Sequence, residues 1–240
     1  MIICTHASNV FGVKLPVEEI GALCKEYGLL FLIDAAQTAG VAEINIPALG
    51  VDFFCAAGHK GLYGPCGTGI LITSMGDKLE TLIEGGTGSY SLSYEQPEDM
   101  PGRLESGTPN TPGILGLGAG ASWVKEKGCA QIYRHEMALA CEIFDALRET
   151  GQIILYTPDF AEGRHMPVIA FNIEGISSEE TTERLSRLGF ALRGGLHCAP
   201  LAHKKMGTSG TGVARISVGA FNTRKEAELL VEAIKKAVRN

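Results

Sequence analysis

An α/β protein with a mainly parallel sheet, followed by a smaller α+β domain, is the fold that the sequence predicts from three features. Short apolar runs alternate with helical patterns in the first half, and each run ends in a polar turn. From about Pro112 the pattern changes to long helical stretches separated by isolated strands. Ile2 to Thr5 reads as the first strand, followed by the polar turn His6 to Gly12. Pro16 opens a helix in which Val17, Ile20, Cys24 and Tyr27 recur at helical spacing, and Gly28 ends it. Leu29 to Ile33 reads as a fully buried second strand, Asp52 to Ala56 as a third and Thr68 to Thr73 as a fourth. Two glycine-rich stretches, 58–69 and 85–88, punctuate this half, and 89–102 is a polar, aromatic, proline-bearing loop long enough for a lid or an interface arm. The second half predicts helices over 112–127 and 129–149, strands at Gln152 to Tyr156 and Pro167 to Ile173, and a helix over 178–188. A strand then leads to the turn Arg193 to Pro200, Ala214 to Val218 forms the next strand, and a last helix starts at Thr223, where Glu226 completes a capping box. The change of character falls within 110–120, giving a first domain over 1–115 and a second over 116–240.

Composition narrows the function. With 21 Lys and Arg against 27 Asp and Glu the chain carries a net charge of −6, and its longest basic clusters, His203-Lys204-Lys205 and Lys235-Lys236, are too short to grip a phosphate backbone. Hydrophobic residues at 45% and charged residues at 20% indicate a globular protein rather than a disordered one. Met1 to Val10 lack the basic segment that opens a signal peptide. The most apolar run stops at Asp34, far short of the roughly 20 residues that span a bilayer. A soluble, cytoplasmic protein is expected. Seven cysteines, at 4, 24, 55, 66, 129, 141 and 198, form no C-x-x-C pair, so most of them read as small buried hydrophobes of a reducing compartment. Glycine is abundant, 31 of 240 residues, which suggests backbone turns that approach a bound group closely.

In open α/β sheets, ligands collect at the carboxyl ends of the strands. The residues predicted there are His6-Ala7-Ser8-Asn9, Asp34-Ala35-Ala36-Gln37 and Gly58-His59-Lys60-Gly61. Singly, Asp34 reads equally as a helix N-cap, Asn9 as a turn residue and Lys60 as a solvated lysine. Together they converge on one edge. The set is a poor metal site, since His197-Cys198 with His203 offers too few ligands. Gly64 to Gly69 lacks the Gly-Lys-Ser/Thr ending of a nucleotide loop. A lysine, an acid and several donors suit pyridoxal 5'-phosphate, which takes a lysine for covalent attachment, an acid against its ring nitrogen, and donors for its phosphate and hydroxyl.

The segments THASNVFG, IDAAQTAG, AGHKGLYGPCGTG, RLESGTPNTPGILGLGAG, LRGGLHCAPLAHKKMGT and ARISVGAFNT resemble the class V aminotransferase superfamily, specifically its cysteine desulfurase branch. The resemblance implies a fold type I transferase that uses pyridoxal 5'-phosphate, moves sulfur from L-cysteine to a cysteine persulfide and releases L-alanine. It implies Lys60 as the cofactor lysine, Asp34 against the ring nitrogen, Gln37 and Asn9 at the ring hydroxyl, with Asn9 also near substrate, and His59 at the phosphate. Thr108 would reach the phosphate of a neighbouring subunit, which implies a homodimer. Arg215, with Arg193 as a second candidate, would bind the substrate carboxylate. Cys198 is the implied nucleophile, with His197 beside it in the catalytic loop, and a sulfur-acceptor protein is the implied further partner. Ala57 stands where the family has a serine that donates to the phosphate. Family members extend further at the N-terminus, so the chain is expected to hold only part of the cofactor domain. A selenocysteine lyase acting on L-selenocysteine, another class V enzyme, or a truncated and inactive fragment are the alternatives.

Overall fold

The computed structural model describes residues 1–157 and 160–239, which fall into two compact units. The first comprises residues 1–5, 16–40 and 44–126, and the second 6–15, 41–43 and 127 onward. This differs from the boundary expected near residue 115. The helix over 111–127 presses its glycines onto a turn of the first unit, and Val10 and Phe11 are buried in the second unit against Ala170 and Val213.

In the first unit, β1 (Ile2–Thr5) leads to α1 (Val17–Glu26), β2 (Phe31–Asp34), α2 (Ile46–Leu49), β3 (Phe53–Ala57), β4 (Gly69–Thr73) and α3 (Thr111–Lys127). The strands lie in the order β1-β2-β3-β4, the first three parallel and β4 antiparallel to β3, so the sheet is mainly parallel as expected. Phe31, Ile33, Phe53 and Phe54 are among its buried side chains, and α1 buries Val17, Gly21 and Cys24, with Gly21 set against the Phe31 ring. The four-residue α2 starts where the Asn45 side chain accepts the Ala48 N–H at 3.1 Å and stops at left-handed Gly50. Ile3 in β1 and Leu71 and Ile72 in β4 are exposed.

The second unit contains α4 (Cys129–Arg148), β5 (Ile153–Leu155), β6 (Val168–Ile173), α5 (Ser178–Arg187), α6 (Pro200–Met206), β7 (Ala214–Ser217) and α7 (Arg224–Arg239). β6 lies between β5 and β7 in an antiparallel sheet and is buried along its whole length. Ile143, Phe144 and Leu147 of α4, Leu185 of α5 and Leu230 and Ile234 of α7 pack with Phe171 and Ile169 in one core. Side chains cap α5 and α7 as their sequences require: Ser177 Oγ accepts the Glu180 N–H at 3.1 Å, and Glu226 accepts the Thr223 N–H at 2.7 Å. The strand expected ahead of Arg193 reduces to a single bridge between Arg193 and Arg215. Among the described residues no helix is long and apolar enough to cross a membrane.

Candidate active site

The first unit presents its chemistry at the carboxyl ends of β2 and β3. These strands are parallel neighbours, with Asp34 in register with Cys55, so Asp34 and the turn that follows Ala57 open at the same edge. Asp34 is exposed, and its Oδ1 accepts the Ala36 N–H at 2.9 Å. His59 and Lys60 are exposed and Gln37 is half-buried. The Lys60 turn closes on itself through Tyr63 N–H to Lys60 O at 2.9 Å and Gly64 N–H to Gly58 O at 2.8 Å. Tyr63, in left-handed backbone, packs edge-on against Trp123 with ring centroids 5.0 Å apart.

Backbone pressed on backbone braces this turn. A β-carbon on Gly120 of α3 would lie 2.8 Å from Tyr63 O, and one on Gly116 would lie 2.8 Å from Pro65 Cγ. From another direction Gly40, at φ +83°, leaves no room for a side chain beside Gly61. An exposed amine, an exposed carboxylate and a carboxamide on one strand edge fit pyridoxal phosphate. Ala57, paired with Gly69, brings no donor. Thr108 is exposed in the segment that precedes α3.

Asn9, Arg193, His197, Cys198 and Arg215 all belong to the second unit. Leu196 to Ala199 form a tight turn closed by Ala199 N–H to Leu196 O at 2.9 Å. Its central residues, His197 and Cys198, have φ of +49° and +58°. Asn and Gly normally fill such positions, and for other residues each costs roughly 1–3 kcal/mol. Neighbouring groups hold the turn in place. His197 Nε2 donates to Val213 O at 2.9 Å, which fixes the tautomer and leaves Nδ1 as a buried acceptor without a partner. Asn9 Nδ2 donates to His197 O at 2.7 Å. Arg215 N–H donates to Arg193 O at 2.8 Å, and Arg215 Nη1 donates to Asn9 O at 2.8 Å.

Burial lowers the pKa of His197. The Val213 hydrogen bond opposes that shift, while Arg215, Arg193 and His203 add to it. The imidazole is therefore neutral at pH 7. Burial, then Arg193, also lowers the pKa of Arg215, which still carries its charge. Arg215 Nε is buried without a partner, so the guanidinium holds an unused donor.

All seven cysteines are free thiols. They do not fit one description as buried hydrophobes: Cys24 alone is fully buried, and Cys66 and Cys198 are exposed. Burial raises the pKa of Cys4, Cys55, Cys129 and Cys141, which holds them as thiols. Among the described residues no group of three or more His, Cys, Asp and Glu side chains could hold a metal. The sequence did not reveal the strained turn, because neither His nor Cys signals left-handed backbone.

Residues 1–230 match the class-V aminotransferase family, and the chain belongs to that family. Class-V aminotransferases and their cysteine desulfurase members are pyridoxal-phosphate-dependent. A probable cysteine desulfurase of Methanothermobacter thermautotrophicus is 34% identical over 243 residues, which cover 98% of this chain and 60% of that protein. A cysteine desulfurase of Klebsiella pneumoniae subsp. pneumoniae is 35% identical over 244 residues, covering 98% and 58%. Among solved structures, the apo cysteine desulfurase of Thermococcus onnurineus NA1 superposes with a TM-score of 0.89 at 33% identity, covering 99% of this chain and 59% of that one. The Escherichia coli cysteine desulfurase CsdA gives the same TM-score, 0.89, at 26% identity, covering 99% and 58%. The chain thus spans under two thirds of the length of these relatives.

Proposed function

We propose that the chain performs the cysteine desulfurase reaction with pyridoxal 5'-phosphate, moving sulfur from L-cysteine to Cys198 and releasing L-alanine. The observation that carries this reading is the exposed Cys198 thiol on a left-handed turn tied by hydrogen bonds to the Arg215 strand. When bound, pyridoxal phosphate supplies an electron sink that lets an amino acid lose its Cα proton. Lys60 would hold the cofactor covalently, Asp34 would face its ring nitrogen, and Gln37 and Asn9 would serve its hydroxyl. His59 would take its phosphate, joined by Thr108 from a second copy of the chain in a homodimer. Arg215 and Arg193 bind the substrate carboxylate, where a guanidinium fork matches two oxygens. The Lys60 amine carries the Cα proton.

Cys198 Sγ then attacks the substrate sulfur. The S–S bond forms as the Cβ–S bond breaks, the bonding electron pair stays with carbon, the Cys198 thiol proton goes to Cβ, and the Lys60 amine returns the Cα proton, which completes alanine. His197, neutral and bonded to Val213 O, serves by anchoring the Cys198 turn. The persulfide passes to an acceptor protein in the cytoplasm.

The test is the visible absorbance of the chain with added pyridoxal phosphate, beside Lys60→Ala and Cys198→Ala. We expect a band that requires Lys60 and changes with L-cysteine, and sulfide release that Cys198→Ala abolishes without removing the band. Absence of the band would overturn the reading for this chain, and turnover retained by Cys198→Ala would move the nucleophile elsewhere. L-selenocysteine turned over far faster than L-cysteine would favour the selenocysteine lyase reading.

A further inference from the structure

We propose that Asn9 is a positioning residue that couples the Arg215 guanidinium to the backbone of the Cys198 turn, so that the anion site and the nucleophile move as one unit. The inference rests on the reading above for the roles of Arg215 and Cys198. The coupling itself rests on hydrogen bonds within the second unit.

Two bonds meet at Asn9. Its carbonyl accepts Arg215 Nη1 at 2.8 Å, and its side-chain amide donates to His197 O at 2.7 Å. His197 is the first left-handed residue of the turn and Cys198 the second. The Asn9 amide therefore grips the peptide unit that joins them.

Asn9 is itself firmly seated. Ser8 Oγ accepts the N–H groups of Val10 and Phe11 at 3.3 and 3.1 Å. Ser8 N–H donates to Val13 O at 2.9 Å and Gly12 N–H to Ser8 O at 3.1 Å. Val10 is fully buried, and Phe11 nearly so, in a small core with Ala170 and Val213. A rigid bracket thus stands on one side of the Cys198 turn, and Val213, the residue before β7, holds it on the other through His197 Nε2 to Val213 O. Asn9 thus both holds the turn and touches the guanidinium side chain. The unused Arg215 Nε lies in the same group, and an incoming anion would draw on it. Any shift of the guanidinium toward that anion pulls on Asn9 O, and through Asn9 on the His197 peptide.

Hydrogen exchange at the Ala199 amide, which closes the turn, reads this coupling without cofactor or turnover. A chain that failed to bind pyridoxal phosphate would still answer the question. The variants are Asn9→Asp, which keeps the size and removes the donor, Arg215→Gln, and the double variant. We expect Asn9→Asp to speed exchange across 196–199 roughly fivefold, the scale of one lost hydrogen bond. Arg215→Gln is expected to speed it as well, and the double variant to exceed neither single one, while exchange in α5 stays at the wild-type rate. Unchanged exchange in Asn9→Asp would overturn the proposal. So would an Arg215→Gln effect that is absent or simply additive, because Arg215 would then not act through Asn9. Asn9→Ala repeats the measurement should Asn9→Asp fail to fold, with the same outcomes decisive.

Discussion

Replacing Gly40 by Ala puts a β-carbon against the turn that carries Lys60. That carbon would lie 2.5 Å from the Gly61 carbonyl carbon and 3.0 Å from Leu62 N. Ordinary contact begins near 3.5 Å, so the turn must retreat by about 1 Å. The backbone at Gly40, φ +83°, adds about 1 kcal/mol of left-handed strain. Gly50 provides the control, because it has φ +64° and nothing within 4 Å of an added β-carbon. Gly50→Ala is expected to cost about 1 kcal/mol, and Gly40→Ala about 3 kcal/mol once the overpacking is included. For a chain of this size these correspond to falls in melting temperature of about 3 °C and 9 °C. A displacement of about 1 Å at Lys60 should also weaken pyridoxal phosphate uptake by tenfold or more. Thermal melts and titrations followed by visible absorbance measure the two effects. A Gly40→Ala protein that melts with Gly50→Ala and takes up the cofactor like wild type would refute the claim that the turn is braced by backbone contact.

Three further outcomes follow from the second unit. The folded-state pKa of His197 is lowered from about 6.5; below that pH the unfolded chain binds a proton that the folded chain refuses. Its contribution is fully present above pH 6.5 and is lost as the pH falls toward the folded value, so His197→Gln should flatten the loss of urea midpoint between pH 7.5 and 5.5. Phe171, fully buried at the centre of β6, should cost about 3–5 kcal/mol as Phe171→Ala, read from urea unfolding. Ser177→Ala removes the cap of α5 and should cost about 1 kcal/mol, with Ser177→Asp restoring most of it.

Much of the fold was legible because periodicity reports burial directly. Val17, Ile20 and Cys24 marked α1, and the alternating apolar runs found every strand of the first sheet to within two residues. Short elements escaped. α2 has four residues and α6 seven, too few for a period to show, and α6 starts at the end of the turn read over 193–200 and runs on into a stretch given no element. Residues 6–15 were read as a simple continuation of the first domain. Their allegiance depends on Val10 and Phe11 meeting residues far along the chain, which no local pattern encodes. At the site, Asp34 and Lys60 could be put at one sheet edge because Asp34 ends β2 and Lys60 follows β3. The connections of Asn9 could not be read, since its partners lie 188 and 206 residues away.

The glycines of α3 bear on the order in which the protein folds. Gly113, Gly116, Gly118 and Gly120 sit within 17 residues, and each weakens an isolated helix by about 1 kcal/mol relative to alanine. On its own, then, this segment is a poor helix. It becomes one only when the turn over 62–65 is present to lie in the groove that the missing side chains leave. That turn in turn gains its shape from the helix. The lysine loop and α3 are thus expected to order together, late and in a single step, so that an incompletely folded chain displays no partly formed lysine site.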